Sequence, residues 1–172
     1  YPAIFCKIDD MLGGVMGRCV GQDEISLLHV DNDGADIPAG CAVCYESVYG
    51  EYFTGYIQKG AKAMTIITND AWWGNTPGYR QHLSYASLRA IETRRAIARC
   101  ANTGISAIIS PAGEILQPTP WWEQAVICGA LPLRDDITFF VSHGDVVGRM
   151  CTFIFLLLLL ARVTRLLTAH RK

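Results

Sequence analysis

The sequence has no excess of charge of either sign. Its 15 basic and 16 acidic residues leave a formal net charge of -1, and the sequence pI is about 6.5. A nucleic-acid-binding domain usually carries a basic patch and a high pI, so we predict no nucleic acid partner. The 172 residues, of which 51% are hydrophobic, are enough to build the core of one folded domain.

The chain also lacks the cysteine pattern of a disulfide scaffold or a zinc module. Seven cysteines are an odd number, so they cannot all pair within one chain. Cys41 and Cys44 form a C-x-x-C pair, which leaves a redox pair or half of a zinc site open as interpretations. No second pair of this kind follows, and the four histidines do not stand at ligand spacing. We therefore predict no metal and no other cofactor, and we favour a single reactive thiol at Cys44.

An apolar run ends at Cys44 and is followed at once by a polar and aromatic segment. Residues 41–44 are predicted to form a short buried strand, and residues 47–59 carry apolar side chains at helical spacing. A thiol between a buried strand and a helix lies where backbone N–H groups can stabilise a thiolate and hold an oxyanion. We predict that Cys44 is a nucleophile, with Tyr45 and Glu46 beside it in the site.

Strand and helix signals alternate along the rest of the chain and favour a layered α/β domain. The predicted strands cover residues 24–30, 63–68, 105–110, 114–117 and 125–133, and a second helix is predicted at 79–101. A polar and aromatic loop at 69–78 follows one of the strands, where α/β folds place their sites. Asn69, Asp70, Trp72 and Trp73 in this loop are candidate substrate-binding or site-loop residues. Turn chemistry for the first two and core packing for the tryptophans remain the alternatives.

Besides Arg80, the second predicted helix carries four arginines, at positions 89, 94, 95 and 99. Lipid phosphates are possible partners for such a group. A solvated helix face that pairs with Glu92 at a spacing of three or four residues is the interpretation we favour. His82 in the same helix is predicted to be structural. Trp121 and Trp122, further along the chain, are predicted either to face lipid or to pack in the core.

The C-terminal segment differs in character from the rest of the chain. Residues 150–161 are uncharged and rich in leucine, and Arg162 and Arg165 follow them. A membrane span needs about 20 residues, and residues 146–168 supply that length if Arg149 and Arg162 extend toward the interfaces. We predict a transmembrane helix at 146–168, a basic tail at 169–172 and, because positive flanks stay inside, a cytoplasmic C-terminus.

Five separated motifs occur in order: CYES at 44–47, TNDAWWG at 68–74, RQH at 80–82, RAIE at 89–92 and ANTGISA at 101–107. Together they resemble the second half of the nitrilase-type domain of the apolipoprotein N-acyltransferases, within the nitrilase (carbon-nitrogen hydrolase) superfamily. Details are similar to the forms found in Bacteroidetes-like bacteria. The resemblance implies an αββα sandwich, of which residues 1–145 are the C-terminal part, followed by the transmembrane helix.

The resemblance also implies an activity. Enzymes of this family move an acyl chain from a membrane phospholipid onto a cysteine as a thioester, and then to the α-amino group of the lipid-modified N-terminal cysteine of an apolipoprotein. Cys44 corresponds to that cysteine, and Tyr45 and Glu46 correspond to positions needed beside it. The catalytic domain is then expected on the periplasmic side of the bacterial inner membrane. Two alternatives are a nitrilase- or amidase-type hydrolase of C–N bonds and a catalytically incomplete, membrane-anchored domain.

The family scheme further requires a glutamate as general base and a lysine that stabilises the oxyanion, both before the nucleophile in the chain. Within residues 1–40 the glutamate and lysine are Glu24 and Lys7, and neither lies in a matching motif. The sequence begins with Tyr instead of Met and shows no signal-peptide pattern. We therefore expect a C-terminal fragment whose base and lysine precede residue 1.

Overall fold

Six strands and four helices are found in the computed structural model, which describes residues 22–169. The strands are β1 (Leu28–Asn32), β2 (Ala35–Val43), β3 (Ala63–Asn69), β4 (Ile97–Asn102), β5 (Ala107–Ile109) and β6 (Ile115–Leu116). The helices are α1 (Gly50–Gln58), α2 (Gly78–Thr93), α3 (Phe139–His143) and α4 (Val146–Ala169). Two 3₁₀ turns, Cys44–Val48 and Asp70–Trp73, follow β2 and β3 directly.

The six strands form one mixed sheet in chain order. β1 and β2 form an antiparallel hairpin, and Asp33 and Gly34 in its turn have the positive φ angles that a two-residue hairpin turn requires. β2, β3 and β4 are parallel, whereas β5 and β6 are antiparallel to their neighbours. Because β2, β3 and β4 run in one direction, their carboxyl ends meet at one edge of the sheet.

One face of the sheet is covered by helices. α1 and α2 contact each other, α1 contacts β2, and α2 contacts β4 and β5. Buried side chains such as Phe53, Met64 and Ile97 fill the space between. The opposite face is open, since Val43 and Ile67 are 55% and 53% exposed. The described residues thus contribute one helical layer and one sheet to the α/β fold, which are two of the four layers of the predicted αββα sandwich.

The second predicted helix is too long. α2 ends at Thr93, Arg94 adopts a left-handed φ of 53°, and residues 97–102 form β4 instead of a last helical turn. The segment pairs with β3 over six residues. Strand pairing therefore overrides the helix propensity of the alanines and arginines in this segment.

The strand predicted at residues 125–133 is also wrong, because the segment is irregular and largely exposed, with Val126 95% exposed. It pairs with no strand of the described sheet, and without a partner strand its few β-branched residues do not form one. The other strand predictions are confirmed with shifted ends. The basic tail predicted at 169–172 lies outside the described residues apart from Ala169.

The prediction of a solvated arginine face is wrong for three of the four arginines. Arg89, Arg95 and Arg99 are buried, and Arg94 is exposed. The predicted pairing of Arg89 with Glu92 is confirmed, at 3.0 Å. Burial lowers the pKa of the Arg89 guanidinium and raises the pKa of the Glu92 carboxyl, with each partner's charge opposing the shift.

Helix α4 agrees with the segment predicted from its leucine-rich sequence. It has 24 residues and a mean hydropathy of 2.1, and none of its apolar window is buried inside the domain. Length and composition therefore allow it to cross a membrane. Whether it does so stays a prediction.

Arg95 is expected to be required for stability, because its guanidinium donates to the carbonyls of Ala61 (2.8 Å), Thr93 (3.2 Å) and Asp136 (2.9 Å). Arg95→Met leaves these buried acceptors without a donor, which costs about 3 kcal/mol. The apparent melting temperature of the purified protein should fall by roughly 5 °C or more. Arg94→Met, at the exposed neighbouring position, is the matched control and should leave it unchanged. Equal effects of the two substitutions would contradict this assignment.

Candidate active site at Cys44

The predicted site residues follow two neighbouring parallel strands. Cys44 comes directly after β2, and Asp70 comes directly after β3. The side chain of Asn69 accepts a hydrogen bond from the Ala71 N–H (3.2 Å) and so caps the second 3₁₀ turn. Sheet topology therefore brings the segment around Cys44 and the loop at 69–74 together, as their positions after predicted strands imply.

Cys44 has a left-handed backbone, with φ of 51°. For a residue with a side chain this conformation costs about 1–3 kcal/mol and persists only where neighbours hold it. The Ser47 hydroxyl donates to the Cys44 carbonyl at 2.7 Å. The Val43 N–H donates to the Glu46 carboxylate at 2.7 Å. Ser47 and Glu46 thus brace the turn from both sides of the cysteine.

Behind this turn lies a buried polar network centred on Asp70. One carboxylate oxygen of Asp70 is 2.9 Å from His82 Nδ1, and the other accepts from Arg99 Nη2 at 2.7 Å. Burial alone raises the pKa of Asp70, but the hydrogen bonds and charges of His82 and Arg99 outweigh it and lower the pKa below its ordinary value of 3.8. Asp70 is therefore a buried anion, not only a turn residue.

The network reaches the cysteine through the other ring nitrogen of His82. His82 Nε2 is 3.3 Å from the Cys44 carbonyl and 3.3 Å from Ser47 Oγ. His82 was predicted to be structural, and its contact with the backbone of Cys44 agrees with a bracing position. Ser47 is fully buried, so it is not placed to act as a nucleophile in its own right.

Three residues of this network were not predicted: Ser47, Thr68 and Arg99. Arg99 was hidden by the mistaken extension of α2, because a strand and not a helix turns its side chain toward Asp70. Thr68 is buried, and its hydroxyl lies 3.3 Å from the sulfur of Cys44. The sequence signal for Ser47 and Thr68 was their place inside the CYES and TNDAWWG motifs.

The aromatic residues in and near the site form two stacks, and Trp72 belongs to neither of them. The ring of Tyr45 stacks on His82, with centroids 5.5 Å apart, and lies 6.1 Å from the ring of Trp73. Trp72 is 80% exposed. Trp121 stacks on Tyr79 at 5.3 Å. Of the two predicted loop tryptophans, the structure therefore places Trp73 in the aromatic stack and Trp72 at the surface.

A cleft of about 1440 Å³ opens in front of Cys44. Its lining includes the turn at 43–46, the start of α1, the Arg89 and Glu92 pair, and a stripe along α4 formed by Arg149, Thr152, Phe153 and Leu156. These four positions follow the spacing of one helix face. The cleft therefore connects the turn that carries Cys44 to the apolar helix. Among residues 22–169, no group of three or more possible metal ligands is found.

Comparison with known proteins agrees with the geometry. The sequence profile of the carbon-nitrogen hydrolases matches residues 16–136. The chain belongs to the carbon-nitrogen hydrolase family. Its sheet is the mixed sheet of the nitrilase-superfamily α/β fold, and an amidase from Nesterenkonia sp. shares it with a TM-score of 0.50 at 18% identity, over 72% of this chain and 45% of that one.

Two relatives within this family carry a more specific name. An apolipoprotein N-acyltransferase of Chlorobaculum tepidum is 34% identical over 166 residues, which are 96% of this chain and 30% of the relative. An apolipoprotein N-acyltransferase of Geobacter metallireducens is 38% identical over 112 residues, 65% of this chain and 22% of the relative. The chain thus spans less than a third of the length of these relatives.

The buried anion at Asp70 predicts a pH-dependent contribution to stability. Asp70→Asn leaves the guanidinium of Arg99 without its carboxylate, a loss of about 3–5 kcal/mol near neutral pH. Because the folded-state pKa of Asp70 is lowered, this contribution is present above pH 3.8 and is lost as the pH falls through the folded-state value. Melting temperatures of the two proteins should therefore differ most near pH 7, and the difference should shrink only below pH 3.8, as the pH approaches the lowered folded-state pKa of Asp70.

The matched control is Asp36→Asn, which alters an exposed Asp and His pair formed with His29. It should change the melting temperature little at any pH, because exposed ion pairs contribute about 1 kcal/mol or less. A difference between wild type and Asp70→Asn that does not vary with pH would show that the substitution acts through packing and not through the charge.

Proposed function

We propose that the protein is an N-acyltransferase that moves an acyl chain from a membrane phospholipid, through a thioester on Cys44, to the α-amino group of the lipid-modified N-terminal cysteine of an apolipoprotein. The observation that carries the proposal is the cleft that joins the Cys44 turn to Phe153 and Leu156 in the stripe of α4. An enzyme with a lipid donor needs a thiol at the end of an apolar passage. The names of the relatives from Chlorobaculum tepidum and Geobacter metallireducens support the same activity.

The first half-reaction transfers the acyl chain to the enzyme. The general base of the family scheme takes the proton of the Cys44 thiol, and the thiolate attacks the ester carbonyl of the phospholipid. The ester C–O bond breaks, and the lysophospholipid leaves with the proton that the base returns. The first N–H groups of a 3₁₀ turn have no partner inside the turn, so the N–H of Tyr45 is our candidate donor to the oxyanion. The Glu46 carboxylate accepts a hydrogen bond from the Val43 N–H at 2.7 Å. This bond fixes the turn that carries the Tyr45 N–H. The family scheme assigns the general base and the lysine to residues before the nucleophile.

The second half-reaction releases the chain as an amide. The α-amino group of the acceptor attacks the thioester carbonyl, loses a proton, and displaces the thiolate of Cys44. A thiolate is both a good nucleophile and a good leaving group, so the cysteine divides one difficult ester-to-amide transfer into two easier steps. Cys41 has no part in this scheme, because it lies within β2 and outside the cleft.

The membrane is part of the proposed site. With α4 crossing the bilayer, the domain lies on the periplasmic face of the inner membrane and the C-terminus lies in the cytoplasm. Phe153 and Leu156 of the α4 stripe then let an acyl chain pass from the bilayer into the cleft. Trp72 is 80% exposed, and tryptophan favours the membrane–water interface, so its loop is suited to lie against the bilayer.

An acyl adduct on Cys44 is the first expected outcome. Full-length enzyme incubated with phospholipid and no acceptor should gain the mass of one acyl chain, and fragment ions should place it on Cys44 and not on Cys41. Cys44→Ala should abolish both the adduct and the transfer. Cys41→Ala, three residues earlier, is the matched control and should retain both.

The kinetics give a second check on the same intermediate. If both half-reactions pass through one thioester, double-reciprocal plots of the initial rate at different acceptor concentrations should be parallel lines. Intersecting lines, or transfer by Cys44→Ala, would refute the mechanism. Release of free fatty acid without an acceptor, at the rate of transfer, would identify a hydrolase instead.

The cleft also predicts a dependence on chain length. Leu156 lines the cleft, and Leu156→Trp adds bulk that narrows it. Acylation should slow about tenfold for donors with long chains and change little for donors with short chains, because the lost apolar contact of even one methylene is worth about 1–3 kcal/mol. Leu158→Trp, at a position of α4 outside the cleft lining, is the control. Equal slowing with all donors, or by both variants, would exclude this path.

A further inference from the structure

The hydroxyl of Thr68 lies between the proposed nucleophile and the buried anion. Thr68 ends the buried part of β3 and is 5% exposed. Its Oγ1 is 3.3 Å from Cys44 Sγ and 3.1 Å from Asp70 Oδ1. A threonine hydroxyl carries a single proton, so it donates to one of these two acceptors at a time.

Asp70 does not depend on that proton. Its Oδ1 faces His82 Nδ1 at 2.9 Å, and its Oδ2 accepts from Arg99 at 2.7 Å. Both carboxylate oxygens therefore keep a partner when Thr68 turns away. This leaves the hydroxyl free to donate to the sulfur without leaving a buried charge unpaired.

The other polar groups next to Cys44 are occupied elsewhere. The hydroxyl of Ser47 donates to the Cys44 carbonyl at 2.7 Å, and Nε2 of His82 faces that same carbonyl at 3.3 Å. Both act on the backbone of the cysteine. Among the described residues, Thr68 is the one whose side chain donates a hydrogen bond to the sulfur itself.

We propose that Thr68 is a catalytic hydrogen-bond donor to the sulfur of Cys44, which donates to Sγ when the sulfur is a thiolate and to Asp70 when the sulfur carries the acyl chain. The inference rests on the proposed function, since it takes Cys44 as the acyl-carrying nucleophile. A hydrogen bond to a charged acceptor is about twice as strong as one between neutral groups. A thioester sulfur is neutral and a weak acceptor, so the hydroxyl returns to the carboxylate.

Such a donor acts in both half-reactions, because the thiolate attacks in the first and leaves in the second. No bond to Thr68 forms or breaks, and its proton stays on Oγ1 throughout. The rotation about one side-chain bond is the whole change. Asp70 thus serves as the resting acceptor for this hydroxyl, and His82 and Arg99 keep Asp70 in place.

The test compares Thr68→Val, which removes the hydroxyl, with Thr68→Ser, which keeps it. The measurement is the rate of alkylation of Cys44 by iodoacetamide as a function of pH in the full-length enzyme, followed by peptide mass spectrometry. Thr68→Val should move the pH midpoint of alkylation up by about 1–2 units, since a hydrogen bond to a charged group is worth that much. Thr68→Ser should keep the midpoint of the wild type.

Thr65→Val is the matched control, because Thr65 lies on the same strand and its hydroxyl donates to the Gly40 carbonyl at 3.1 Å and not to the sulfur. It should leave the midpoint unchanged. An unchanged midpoint in Thr68→Val, or an equal shift in Thr65→Val, would overturn the proposal. If Thr68→Val does not fold, Thr68→Ala replaces it. An upward shift of the alkylation midpoint in Thr68→Ala but not in Thr68→Ser would support the proposal, and no such shift would overturn it.

The alkylation assay uses no acyl donor, so its outcome is separate from that of the proposed function. A midpoint shift in an enzyme whose wild type gains no acyl adduct would uphold the hydrogen bond and refute the acyltransferase. An acyl adduct on wild-type Cys44, together with an unchanged midpoint in Thr68→Val, would support the acyltransferase and refute the hydrogen bond from Thr68. In the supported case, Thr68→Val should also slow acylation and deacylation about tenfold while Thr68→Ser retains both rates.

Discussion

The buried carboxylate of Asp70 is the interaction on which the site depends. It binds Arg99 on β4 and His82 on α2, and it follows β3, so three separate elements meet at one anion. The side chains of Asp70 and Arg99 are fully buried. Two buried charges cost several kcal/mol each to desolvate, and only close pairing with further hydrogen bonds offsets that cost. The network therefore contributes more to fixed geometry than to net stability.

That fixed geometry is what the cysteine turn requires. A left-handed cysteine at φ of 51° is unfavourable by itself and needs neighbours that hold it. Here the Cys44 carbonyl meets Ser47 and His82, and His82 in turn is held by Asp70. The strain of the turn is thus balanced by a network on the helical side of the sheet, and the turn itself lines the cleft.

The sequence predicted the parts of this site that follow local rules. The turn after β2, the loop after β3 and the apolar helix α4 all carry strong local signals, namely a hydrophobic run, a polar break and a leucine-rich segment. The length of α2 was not predictable in this way. Residues 97–102 have no strong strand pattern, and their strand forms because β3 offers a partner edge. The position of Arg99 depends on that pairing, so its ion pair with Asp70 was missed with it.

The two sides of Cys44 have opposite physical characters, and a lipid-using thiol enzyme needs both. On the helical side, charges and hydroxyls hold the cysteine and offer the sulfur a donor in Thr68. In the cleft, which Arg89 and Glu92 of α2 also line, Phe153 and Leu156 of α4 provide an apolar surface. A thiolate is stabilised by nearby donors, whereas an acyl chain is stabilised by their absence. Placing the sulfur at the boundary satisfies both demands, and the carboxyl edge of a parallel sheet beside an apolar helix creates such a boundary.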